Sequence, residues 1–255
     1  MARIFITGSV DGLGLAAART LIEDDHQVVL HARNRTRAST LTDLAGRAAG
    51  IVIGDLGSAV ETRGIADQVN ALGRMDAVIH NAGVYADSQR YPTPEGHART
   101  LAVNVLAPYL LTCLVERPSR MVYLISGMHR SGDASFRDID WTARRWNGVQ
   151  AYCDSKLYLT ALGFAIARRW SDVRSNVVDP GWVPTRMGGP GAPDDLELGY
   201  LTQVWLAVSN EPEATVSGEY WYHRRPQTPA AVARGEQLQD LLVDELARLT
   251  GIRLA

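Results

Sequence analysis

Short apolar runs alternate with longer stretches of helical periodicity along most of the chain. The runs RIFIT (3–7), QVVLHA (27–32), GIVIG (50–54), DAVIH (76–80), RMVYLIS (120–126), VRSNVV (173–178) and EYWYH (219–223) are short and rich in β-branched residues. Their apolar character is nearly continuous, as a strand buried on both faces requires. Between them, 12–24, 58–72, 96–117, 152–170 and 197–209 read as helices. This alternation predicts an α/β fold: a doubly wound parallel sheet of about seven strands, with right-handed crossovers that put helices on both faces. No repeat, low-complexity tract or linker divides the chain, so one domain is expected over 1–255. Two long loops interrupt the pattern. One, at 127–150, carries Trp141 and Trp146; the other, at 182–199, is rich in Gly and Pro. Loops of this length inside a compact domain commonly carry function, and the second is expected to be a substrate-binding lid.

Composition narrows the function classes. A formal net charge of −2 offers no polycationic surface, which argues against nucleic acid and against an anionic membrane. Cys113 and Cys153 are too few for a disulfide scaffold, match no metal-ligand spacing, and leave no metal site to expect. The opening MARIFITG is already a strand pattern, with no room for a signal peptide, and no run approaches the roughly 18 apolar residues that span a bilayer. A cytoplasmic protein acting on a small molecule is expected, with a homo-oligomer left open. Lys and Arg number 26, yet only one of them, Lys156, is a lysine.

The segment TGSVDGLG (7–14) directly follows the first strand and opens a helix. There Gly8 permits a tight turn, Gly12 lets backbone approach a pyrophosphate, and Gly14 allows close helix packing; the helix N-terminus supplies N–H groups for the phosphates. The position after strand one and before a helix favours a dinucleotide site over a plain turn. The second strand ends LHARN, with Ala32 where an acid would bond the ribose hydroxyls of NAD, and Arg33 next. An acid would repel a 2′-phosphate, whereas a guanidinium can grip it with two charge-assisted bonds. NADP(H) is therefore expected ahead of NAD(H).

These residues resemble the short-chain dehydrogenase/reductase family. TGSVDGLG is similar to its TGxxxGxG turn, NAG (81–83) to the segment after its fourth strand, and Asn104 in LAVNVLAPYLLT to its helical asparagine. ISGMHR (125–130) matches its serine region, YCDSK (152–156) its YxxxK motif, and DPGWVPT (179–185) its PG motif. The motifs run in order, and the chain is most similar to the retinol-dehydrogenase-like branch. The resemblance implies a Rossmann fold and an oxidoreductase that interconverts a carbonyl and an alcohol. It implies a catalytic set of Asn104, Ser126, Tyr152 and Lys156, with Asn104 holding a water in a proton relay and Lys156 bonding the nicotinamide ribose. It further implies cofactor contacts at Ser9, Leu13, Asn34, Leu56, Asn81, Ala82, Gly83, Pro180, Gly181 and Val183, with Thr185 on the carboxamide. Asp55 is either an adenine contact or a strand-end cap.

Tyr152 and Lys156 lie one helical turn apart on one face. Tyrosine is a poor acid, with a free pKa of about 10, and a nearby cation makes its proton easier to give. An arginine is larger, planar and never yields its proton, so it would not replace a lysine here at small cost. Ser126 can hold the substrate oxygen, and Tyr152 then donates the proton. His129 and His80 read as structural. Trp182 and Met187 are expected against the substrate; Trp141 and Trp146 either form its opposite wall or pack their loop onto the domain. Arg186 apart, no cation clearly faces the reacting carbon, so an uncharged hydrophobic aldehyde or ketone, aromatic or medium-chain, is expected. NAD-dependent alcohol oxidation on the same residues, and a non-catalytic NADPH-sensing protein, are the alternatives.

Overall fold

A computed structural model describes residues 1–254. Eight strands form one sheet: β1 (Arg3–Ile6), β2 (Gln27–Ala32), β3 (Gly50–Ile53), β4 (Ala77–His80), β5 (Arg120–Leu124), β6 (Arg174–Asp179), β7 (Tyr220–Tyr222) and β8 (Arg225–Gln227). Their spatial order is β3-β2-β1-β4-β5-β6-β7-β8. The first seven run parallel, and β8 is antiparallel to β7. The order reverses at β1, whose C-terminal end faces both β2 and β4. A crevice opens at such a switch point because the crossovers on its two sides leave to opposite faces.

The helices are α1 (Gly12–Glu23), a single turn α2 (Arg35–Ala38), α3 (Ala59–Ala71), α4 (Arg99–Leu101), α5 (Ala107–Leu114), α6 (Gly148–Arg169), α7 (Leu196–Val208) and α8 (Glu236–Thr250). Alternate residues of β1 show why the strands are apolar throughout: Ile4 and Ile6 join the core under α1 and α7, while Phe5 joins the core under α3 and α5. A third cluster fills the space between α6, α8 and the β5–β6–β7 end of the sheet.

Three differences from the sequence reading matter. The helix expected at 96–117 is three joined pieces over 99–114, with a π-helical turn at Ala102–Leu106 between α4 and α5. The expected seven strands are eight, because β7 turns back through His223 and Arg224, both at positive φ (48° and 59°). The turn is a two-residue hairpin built without the Gly or Asn that usually marks one. The amphipathic helix α8 was not foreseen; its buried Leu238, Leu242, Val243 and Leu246 cover α6.

Candidate active site

The glycine turn sits at the switch point. Gly8 is at φ +66°, and a Cβ there would lie 3.0 Å from the Ala82 Cα. At Gly14 a Cβ would lie 2.5 Å from the Gly8 carbonyl oxygen and 2.4 Å from Asn81 Nδ2. Only glycine fits either position. Asn81 braces the turn, donating from Nδ2 to the carbonyls of Thr7 (2.9 Å) and Gly8 (3.2 Å). The N-cap of α1, Asp11, makes no side-chain cap and instead pairs with Arg37. The first-turn N–H groups of α1 therefore have no side-chain cap and face the cleft, as an anion site requires.

The cleft has a volume of about 400 Å³. Its lining includes Gly8, Gly12, Leu13, Arg33, Asp55, Leu56, Asn81, Ala82, Gly83, Tyr152, Lys156, Pro180, Thr185 and Met187 from the sequence reading. Among the described residues no carboxylate pairs with Arg33, which leaves its guanidinium free for an anion. Asp55 lines the cleft, and its Oδ1 accepts from the Gly57 N–H (2.8 Å). Other side chains are engaged elsewhere. The Ser9 hydroxyl accepts from the His31 N–H (2.8 Å), and Asn34 caps α2 by accepting from the Arg37 N–H (2.9 Å). Gly181 is at φ +83°, and Val183 is buried.

His31 was missed by the sequence reading. Its Nδ1 accepts from the Gly8 N–H (2.9 Å) while Nε2 bonds the Gly54 carbonyl (2.9 Å), an arrangement that requires the neutral ring. Burial holds its pKa below the ordinary value. Nothing in the strand pattern marks a histidine that reaches across to another strand's turn. Arg99, also in the lining, pairs with Asp87 and likewise carried no sequence signal.

Tyr152 and Lys156 project from α6 into the cleft, with the Lys156 Nζ 5.6 Å from the centre of the Tyr152 ring. Ser126 caps a 3₁₀ turn at Gly127–Ser131, its hydroxyl accepting from the Met128 N–H (3.3 Å), and it works against the upward push of burial on the Tyr152 pKa. Lys156 is buried and donates to the Leu124 carbonyl (2.8 Å). Burial lowers its pKa to about 8, partly offset by the Asp179 carboxylate. Burial also raises the Tyr152 pKa, so the phenol is the resting form at neutral pH. Asn104 lies in the π-turn: its Oδ1 accepts from the Val84 N–H (2.9 Å), and its Nδ2 donates to the Val84 carbonyl (3.0 Å) and to Ser155 (2.9 Å). It thus ties the segment after β4 to α6, and both its Oδ1 and Lys156 Nζ approach Gly83. Tyr85, another residue without a sequence signal, packs edge-on against Tyr152 at 4.8 Å.

His129 is structural, with Nδ1 bonding the Ser126 carbonyl (2.8 Å) and Nε2 accepting from the Ala230 N–H (3.0 Å). Trp141 and Trp146 pack edge-to-face at 5.5 Å, and Trp141 is buried, so they hold their loop to the domain rather than wall a pocket. Asp154 anchors the same loop. Its carboxylate accepts from the Asp133 N–H, Gln150 Nε2 and Arg144 (2.8, 2.8 and 2.7 Å). Asp154→Ala leaves the Asp133 N–H and Gln150 Nε2 without this acceptor and Arg144 with only its longer pairs to Asp133 (3.7 Å) and Asp138 (3.9 Å), and should cost about 2–3 kcal/mol. Asp154→Asn should cost less. Thermal unfolding of the two variants checks the order. The segment after β6 folds on itself: Trp182 Nε1 donates to the Gly188 carbonyl (2.8 Å) and Asp194 accepts from the Trp182 N–H (2.6 Å). The Trp182 indole is 60% exposed and lies outside the cleft lining, whereas Arg186 and Met187 are within it. No helix among the described residues is long and apolar enough to cross a membrane.

The family model for short chain dehydrogenases matches residues 2–195. The short-chain dehydrogenase chry4 of Gibberella zeae is 40% identical over 258 residues, covering 100% of this chain and 99% of that protein. Human retinol dehydrogenase 13 is 29% identical, over 98% of this chain and 84% of its own. Among solved structures, a protein from Mycobacterium paratuberculosis superposes with a TM-score of 0.82 at 22% identity, over 100% of this chain and 95% of that one. A blue fluorescent protein from a metagenomic library, in complex with NADPH, superposes with a TM-score of 0.67 at 22% identity, over 86% and 94%.

Proposed function

This chain belongs to the short-chain dehydrogenase family, an oxidoreductase family, and we propose that within it the protein is a cytoplasmic, NADP(H)-dependent enzyme that interconverts an uncharged carbonyl compound and its alcohol. The observation that carries the reading is buried Lys156 with its Nζ 5.6 Å from the centre of the Tyr152 ring, the two one helical turn apart and both in the cleft that begins at the glycine turn. The cradle left by Gly8 and Gly14, the uncapped start of α1 and unpaired Arg33 fit a dinucleotide with a 2′-phosphate. When bound, the nicotinamide supplies or takes up the hydride. The Ser126 hydroxyl donates to the substrate oxygen and steadies the charge developing there. Tyr152 gives that oxygen its proton, and the Lys156 ammonium favours the phenolate left behind. Asn104 fixes the backbone at Val84 and serves the relay that returns a proton toward Lys156. The reverse reaction uses the same groups with Tyr152 as base.

Tyr85 and Met187, both part-exposed, give the substrate side an apolar rim that suits an aromatic or medium-chain aldehyde or ketone. The 182–199 segment is assigned as the lid, with Trp182 available to close on substrate. A screen of aldehydes and ketones for cofactor oxidation, with NADPH and NADH in parallel, tests the reading; a much higher kcat/KM for carboxylate-bearing carbonyls would mean the pocket is built around Arg186. The cofactor assignment has its own test. Arg33→Ala should weaken NADPH by about 1–3 kcal/mol, the scale of a charge-assisted contact, and leave NADH nearly unchanged. Fluorescence titration of both cofactors checks it, and equal losses would refute the assignment.

A further inference from the structure

Asp179, the last residue of β6, is a carboxylate that the proposed chemistry does not use. It is 9% exposed, and no cation pairs with it among the described residues. Its Oδ1 accepts from the Gly181 N–H (3.0 Å), and its Oδ2 accepts from the Tyr220 hydroxyl (3.0 Å). On its other side lies the serine turn: a Cβ at Gly127 would be 3.0 Å from Asp179 Oδ2. The carboxylate therefore stands beside the residue that follows Ser126, and it follows Val178, which pairs with Leu124 and accepts from the Ile125 N–H (2.8 Å), while the Leu124 carbonyl holds the Lys156 ammonium (2.8 Å). An uncompensated anion so near a phenol opposes its ionisation, and near an ammonium it opposes the loss of its proton.

Resting on the assignment of Tyr152 as proton donor, we propose that Asp179 is a positioning residue of this active site, whose charge keeps Tyr152 a phenol and Lys156 an ammonium and so extends carbonyl reduction to higher pH. The other groups around Tyr152 do not replace it. Cys153, on α6 itself, is a thiol whose pKa burial raises, and it disfavours phenolate only once ionised; Tyr85, from the segment after β4, meets Tyr152 edge-on through its ring. Lys156 and Arg130 are the cations on this side; Arg130 lies over the Tyr220 ring, 5.8 Å from its centre. His129 is held neutral by its two backbone partners and by burial. Asp179 acts on both members of the pair in the same sense, raising the Lys156 pKa as well as that of Tyr152.

Reduction needs the protonated pair and fails as pH rises through its ionisation; removing the nearby negative charge moves that ionisation down. Asp179→Asn keeps the size and an acceptor for Tyr220. It should shift the alkaline limb of kcat/KM for ketone reduction to lower pH by about one unit. The acid limb of alcohol oxidation should move the same way, raising oxidation below that limb by up to about tenfold. Asp179→Ser removes the charge with a different shape and should give the same displacement, which guards against a fold-specific failure of the first variant. Tyr220→Phe removes a hydrogen bond to the carboxylate but leaves its charge, and should move the limb much less. An unmoved limb in both folded Asp179 variants, or an equal shift in Tyr220→Phe, overturns the proposal. Tyr152→Phe separates the two levels: if that variant keeps its activity, the donor assignment falls and this inference with it, whereas an inactive Tyr152→Phe beside an unmoved limb sinks the Asp179 role alone.

Discussion

Tyr152→Phe should lower kcat for carbonyl reduction by at least the roughly 10²–10⁴-fold typical of general acid catalysis. Phenylalanine keeps the buried ring and its edge contact with Tyr85 and loses only the hydroxyl. One lost hydrogen bond is worth about 1 kcal/mol of stability, so the variant should fold and bind NADPH much as the parent does. Steady-state kinetics beside a fluorescence titration of NADPH separates the two effects. Near-normal turnover would require another proton donor. His129 is a poor substitute as it stands, since both its ring nitrogens already bond backbone groups.

Lys156→Arg should be nearly inactive although the charge is kept, with a loss on the order of 10²-fold or more, the scale of a misplaced catalytic group. The Lys156 ammonium is buried, donates to the Leu124 carbonyl at 2.8 Å, and comes within 3.6 Å of where a Gly83 Cβ would lie. A planar guanidinium is wider and cannot take that place without moving one of these walls. The unique lysine also gives a chemical test, because amine acetylation can reach only Lys156 and the N-terminus. Acetylation should inactivate the enzyme, and NADPH should protect it. A Lys156→Arg enzyme with most of its activity would remove the basis for reading this lysine as functional. The pH dependence has a defined sign as well. The folded pKa of Lys156, about 8, lies below its unfolded value, so the unfolded chain binds more protons above pH 8. This residue alone should therefore make folding stability rise with pH from about 8 toward the unfolded lysine value of about 10.4, while ammonium-dependent activity falls.

Most of the seven parallel strands were legible because they are buried on both faces, and a doubly buried strand must be a short, nearly unbroken apolar run; β3, at the sheet edge, is largely half-buried but keeps the same apolar run. The glycine turn was legible for a related reason: Gly8 and Gly14 stand where a Cβ would strike the Ala82 backbone or the Gly8 carbonyl. Local rules did not reveal β8, since its turn uses His223 and Arg224 at positive φ; the Arg224 N–H is held by the Thr202 hydroxyl (3.0 Å) on α7. Nor did they show what the polar side chains bond across the sheet. His31 bonds the turn after a neighbouring strand, Asn104 clamps Val84, and Ser9 is drawn to the His31 N–H. These partners are 20 to 23 residues apart, and a periodic pattern carries no information about pairing at that range.

Burial periodicity and steric exclusion at glycine act within a few residues, so the chain alone determined the sheet, its cofactor turn and the one-turn spacing of Tyr152 and Lys156. The state of those groups was decided only by the fold. The exclusion of water by surrounding elements lowers the Lys156 pKa and raises that of Tyr152, and the end of β6 brings the Asp179 carboxylate beside the serine turn. Desolvation and Coulomb energy depend on distance through space and on local solvent, and neither quantity exists until distant segments have packed.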